Sequence, residues 1–121
     1  MTRMIKSGVG WRLGWDPDAD AFKGLVGSDD WALELTAVEL EDFCRLLNQL
    51  VEMVVQMSSE LMAEETIACE AESDRLWLEV EGYPHAYRLH LMLLTGRRSE
   101  GHWAATAVPA LAQAAKSLDV F

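Results

Sequence analysis

The residues best suited to chemistry lie in the stretch TGRRSEGHW, Thr95 to Trp103. Two adjacent guanidinium groups, Arg97 and Arg98, can hold a phosphate or carboxylate through paired hydrogen bonds. The Trp103 indole offers a face on which a nucleic-acid base can stack. Gly96 and Gly101 flank the arginines and let the chain bend sharply. With Arg12 and Arg88 as further phosphate contacts and Trp77 as a second stacking face, these residues form a candidate set for an anionic ligand or a single nucleic-acid strand. The competing reading is a bent strand end. In it the arginines pair with the chain's own carboxylates and Trp103 packs beneath them.

Other chemistry finds less support. DPDAD spaces Asp16, Asp18 and Asp20 as at the start of a calcium loop, but the sixth and twelfth positions hold Ala21 and Gly27 where such a loop needs glycine and glutamate. The stretch is expected to be a polar turn. Cys44, Cys69, His85, His90 and His102 lack the paired close spacing of a zinc site, so no metal is expected. There is no phosphate-cradling glycine loop, no serine elbow and no cysteine–histidine signature, so neither a cofactor nor catalysis is expected.

Charge narrows the choice further. The 121 residues carry a net charge of −10. Residues 1–15 hold Arg3, Lys6 and Arg12 and no acid, whereas residues 16–81 hold 18 acids against Lys23, Arg45 and Arg75. Basic residues outnumber acids again over residues 82–121. Such a field disfavours non-specific nucleic-acid binding, which depends on many phosphate contacts, unless the basic ends converge. No apolar run approaches the roughly 18 residues of a membrane span. MTRMIKSGVG at the start has no signal-peptide core, so a cytoplasmic chain with reduced cysteines is expected.

The positioning elements follow from hydrophobic period. VGWRLGWD alternates, with Trp11, Leu13 and Trp15 on one side. AFKGLVG and WALEL complete an expected three-stranded meander. Thr36 and Glu39 have capping-box spacing and open a helix of about 24 residues, roughly 36 Å long. Along it Leu40, Phe43, Leu47, Leu50, Val54, Met57 and Leu61 recur at spacings of three and four, compatible with a dimer seam. TIACEAE, RLWLEVEG and AYRLHLMLLT alternate as strands. TAVPALAQAAKSL reads as a closing helix, with Thr106 as its cap and Pro109 in its first turn. The expected fold is one α+β domain over residues 1–121, with antiparallel sheets, a long central helix and the order β-β-β-α-β-β-β-α.

GWRLGWDP and GRRSEGHW, with VPAL at the head of the last helix, resemble a small uncharacterised family found in cyanobacteria and their plastid-bearing relatives. That family's fold is grouped with the single-stranded-DNA-binding transcriptional regulators, which include the plant Whirly proteins and the coactivator called positive cofactor four. The resemblance covers most of the chain. It implies two antiparallel sheets, or one curved sheet, packed around helices, with a helix-mediated dimer. The strands that would line a nucleic-acid groove carry Glu70, Glu72, Glu79 and Glu81 here. The leading expectation is a non-enzymatic homodimeric acidic domain acting through an unidentified protein partner. The alternative is a single-stranded nucleic-acid-binding, transcription-related module, and an enzyme is the third reading.

Overall fold

The computed structural model describes residues 3–121; positions 1 and 2, at the head of MTRMIKSGVG, lie outside the described residues. Four strands come first: β1 (Met4–Gly8), β2 (Trp11–Trp15), β3 (Gly24–Gly27) and β4 (Ala32–Leu35). The long helix α1 (Ala37–Ser58) follows, then β5 (Ile67–Glu72), β6 (Leu76–Tyr83), β7 (Ala86–Leu93) and β8 (Glu100–Trp103), and α2 (Val108–Lys116) closes the order. The strands form two four-stranded antiparallel meanders, β1-β2-β3-β4 and β5-β6-β7-β8. The α+β class and the central helix agree with expectation.

Each half has one strand more than expected. β1 has the sequence MIKSG, too polar to show an alternating pattern, and it lies at the sheet edge paired only with β2. Gly8 pairs with Trp11, which leaves a two-residue turn in which Gly10 takes φ 83°, a left-handed conformation that glycine adopts without steric penalty. β8 is EGHW, expected as a bent strand end, and it pairs in register with β7 from Leu89↔Trp103 to Met92↔Glu100.

The helices lie between the sheets. α1 packs on β3 and β4 on one side and on β5 and β6 on the other; α2 packs on α1, β1, β2 and β7. The Thr36 hydroxyl accepts from the Glu39 amide while the Glu39 carboxylate accepts from the Thr36 amide, so the capping box forms as expected. Thr106 does not cap α2: the N-cap is Ala107, whose side chain has no acceptor, and Pro109 occupies the first turn. A proline there needs no amide partner, so the helix starts without a polar cap.

The expected dimer seam lies inside the chain. Leu40, Phe43, Leu47, Leu50 and Val54 are buried in the core, and Met57 and Leu61 are partly buried against it. A helix with a sheet on either side needs a wide apolar stripe for its own fold. A homodimer therefore loses the basis that the seam supplied. Among the described residues no helix is long and apolar enough to cross a membrane.

Candidate functional site

The arginine pair sits in the β7–β8 connection, and its two members differ. Arg97 Nη2 donates to the Glu39 carboxylate at 2.6 Å and to the Glu34 main-chain oxygen at 3.2 Å, and its guanidinium lies 4.5 Å from the centre of the Phe22 ring. Glu39 is buried and also accepts from the Thr95 hydroxyl. Burial pushes the Glu39 pKa up, but Arg97, the Thr36 amide and Thr95 outweigh it, and the carboxyl stays below its ordinary value. Arg97 thus ties the β7–β8 loop to the first turn of α1. Arg98 has φ 41°, unusual for a residue with a side chain, and among the described residues it makes no ion pair.

Trp103 is a core residue. It is 1 % exposed, its indole N–H donates to the Gly27 carbonyl at 2.8 Å, and its ring lies 4.8 Å from Trp31 and 5.7 Å from Phe43. The Trp31 N–H donates in turn to the His102 carbonyl. Gly101 makes room for this: a Cβ there would collide with the Trp31 ring. The indoles therefore link the β4 and β8 ends of the two sheets, and Trp103 offers no stacking face to a ligand.

Arg12 joins the same assembly from the outer face of the first sheet. It donates to the Ser28 carbonyl at 2.9 Å and the Trp31 carbonyl at 2.8 Å, holding the β3–β4 turn. Arg88 is on the other sheet, paired with Glu81 directly across β6–β7. Arg12 and Trp103 thus meet around Trp31 and Gly27, Arg97 reaches the helix start, and Arg88 and Trp77 stand elsewhere. The candidate arginines and tryptophans are therefore not gathered into one site.

The remaining candidates have structural explanations. The Lys23 ammonium donates to the Pro17 and Ala19 carbonyls, so the DPDAD turn is closed by a side chain of this protein. Asp42 is buried at the side of α1, bonded by Ser73, Arg75 and Arg45. Burial pushes its pKa up and those partners more than reverse the effect. Cys44 and Cys69 are free thiols. Burial first, and then Glu41, push the Cys44 pKa up to about 12, which leaves the sulfur protonated and unreactive at neutral pH. Among the described residues no three metal-ligating side chains are placed to hold an ion.

The outer face of β5–β8 is different in kind. Strand pairing aligns Glu70, Glu79, His90 and His102 in one row across all four strands. The next row toward the β6 N-terminus is Glu72, Trp77, Met92 and Glu100. The two imidazoles stack with centres 4.0 Å apart, and His90 Nε2 lies 2.9 Å from the Glu100 carboxylate. The Trp77 ring packs edge-on against His90 and its N–H donates to Glu70. Among the described residues Glu70, Glu72 and Glu79 form no ion pair. Alternation with apolar residues places these glutamates on the outward side of their strands. It does not place the histidines beside them, because cross-strand register lies outside any local pattern.

Fold and surface together define an α+β protein with two meanders around a helical layer and one acidic sheet face. A family model described as a domain of unknown function (DUF1818) matches residues 6–118, and the chain belongs to this family. A crystal structure at 1.80 Å of a protein of unknown function from Prochlorococcus sp. NATL2A, described as from the DUF155 family, is similar with a TM-score of 0.92. The two chains are 26 % identical over 97 % of this chain and 98 % of that one. No curated protein matches the chain.

Proposed function

We propose that the chain is a non-catalytic domain that binds a basic segment of a protein partner on the outer face of β5–β8. One observation carries this reading: Glu70 stands directly opposite Glu79, with no cation of the chain paired to either among the described residues. Like charges opposed across a ladder destabilise it, and an incoming lysine or arginine relieves that repulsion. Half-buried Trp77 beside the pair presents an indole to a guanidinium, a contact worth about 0.5–1 kcal/mol at an exposed site. Exposed Met92 adds adaptable apolar area. Each exposed ion pair adds only about 0–1 kcal/mol, so the complex is salt-sensitive and its affinity rests on several contacts together.

Single-stranded nucleic acid is the competing ligand, and a Whirly-like grouping belongs to that reading. It requires Arg12, Arg88 and Arg97 to leave internal partners, and Trp77 to receive a base among five glutamates. Fluorescence anisotropy at low salt separates the two. A labelled arginine-rich peptide binds at about micromolar concentration and a labelled single-stranded oligonucleotide does not. Oligonucleotide binding that disappears in Arg97→Ala/Arg98→Ala would overturn the proposal.

A further inference from the structure

A groove of about 450 Å³ opens between α1, α2 and the tip of the β6–β7 hairpin, away from the acidic face. Its volume falls within the roughly 300–1,000 Å³ of small-molecule sites. Val51 and Val55 on α1, Val108 and Ala112 on α2, and the ring of Tyr87 supply an apolar lining. Val55, in the last turn of α1, is 65 % exposed. The polar groups at the groove are the amides of Asn48 and Gln113 and the Tyr87 hydroxyl, which can donate or accept, the His85 imidazole, and the donor-only Lys116 ammonium. Burial, and then the neighbouring Cys69, push the Tyr87 pKa up, which keeps that hydroxyl protonated as a donor. Glu52 is the only carboxylate on the lining, and Lys116 makes no ion pair among the described residues. In a chain of net charge −10, a groove that carries an unpaired ammonium at its rim among the described residues runs against the overall field.

We infer that this groove binds a small amphipathic carboxylate, its apolar body against Val51, Val55, Val108 and Ala112 and its head group at Lys116. The site is independent of the acidic sheet face. Amide NMR on the isotope-labelled full chain tests it, with decanoate and decanol as probes below their aggregation range. Decanoate shifts amides of α1 around Val51, of α2 around Ala112 and of Tyr87, while the β5–β8 outer face stays unmoved. Lys116→Ala weakens decanoate by roughly two- to fivefold, as expected for one exposed ion pair, and leaves decanol unchanged. Val55→Asp, at an exposed position that tolerates a polar side chain, abolishes decanoate binding without changing the fold. Shifts that are absent, or that spread over the surface away from the groove, would overturn the site. Equal effects of Lys116→Ala on both probes would overturn the carboxylate.

Discussion

On the outer face of β1–β4 the cross-strand rows are Ile5, Gly14, Leu25 and Glu34, and Ser7, Arg12, Gly27 and Ala32. The corresponding face of β5–β8 carries Glu70, Glu72, Glu79, Glu81 and Glu100 with Arg88, two histidines and Trp77. Both sheets have the same meander order and enclose the same helices. Their polar groups serve different ends. The Arg12 side chain of the first sheet closes the chain's own β3–β4 turn, and Arg97 crosses from the second sheet's β7–β8 loop to the head of α1. The carboxylates of the second face are held in register by the ladder, and among the described residues Glu70, Glu72 and Glu79 form no ion pair. Satisfied groups stabilise the fold; unsatisfied surface groups of one sign select a partner.

The contrast breaks first at its structural side. Trp103→Ala removes the indole that bonds Gly27 and packs on Trp31 and Phe43, and is expected to cost about 3–5 kcal/mol in urea unfolding. Arg97→Ala leaves the Glu39 carboxylate buried without its cation and is expected to cost about 2–3 kcal/mol. A loss within about 0.5 kcal/mol, typical of an ordinary surface site, would show Arg97 free for a ligand after all. Arg12→Ala leaves two turn carbonyls without their donor, for about 1–2 kcal/mol. On the acidic face the sign reverses. Glu79→Gln relieves the Glu70 repulsion and is expected to stabilise the fold by about 0.2–1 kcal/mol while weakening basic-peptide binding.

Acid sharpens the same contrast. Glu39 and Asp42 have pKa values lowered by folding, so each contributes stability above its ordinary value, 4.5 and 3.8 respectively. That contribution is lost as pH falls through the lower values of the folded state. Unfolding followed by circular dichroism is expected to show the wild type losing stability as pH falls past 4.5, where Glu39 is half protonated in the unfolded chain. Arg97→Ala is expected to lose less over that window, because without the guanidinium only the Thr36 amide and the Thr95 hydroxyl remain to oppose the effect of burial on Glu39. Equal slopes for the two proteins would contradict the pairing.

Much of this fold is legible from local pattern. The alternation of Leu76, Leu78 and Val80, the heptad-like run on α1 and the Thr36–Glu39 box each report on neighbours a few residues away. β1 and β8 escape because MIKSG and EGHW have too few apolar residues to show a period; pairing with β2 and β7 makes them strands. The seam residues of α1 were visible as an apolar stripe, but whether a stripe meets a sheet or a second copy depends on what folds over it. The arginine pair shows the limit most clearly. Its basic, aromatic surroundings were legible, whereas the partner of Arg97 is Glu39, which stands 58 residues away. No spacing rule links them. The acidic face was legible as alternation, and its opposed Glu70 and Glu79 only as register.

The most direct test compares two charge-matched variants. Glu70→Gln/Glu79→Gln/Glu81→Gln neutralises the sheet face, and Glu60→Gln/Glu64→Gln/Glu65→Gln neutralises exposed residues of the α1–β5 connection. Both change net charge equally, so anisotropy with one labelled arginine-rich peptide isolates position from charge. A docking face on β5–β8 predicts that the first variant loses most of the binding while the second retains it. Equal weakening in both would mean that the peptide senses only the overall field, and the assignment of this face would fall.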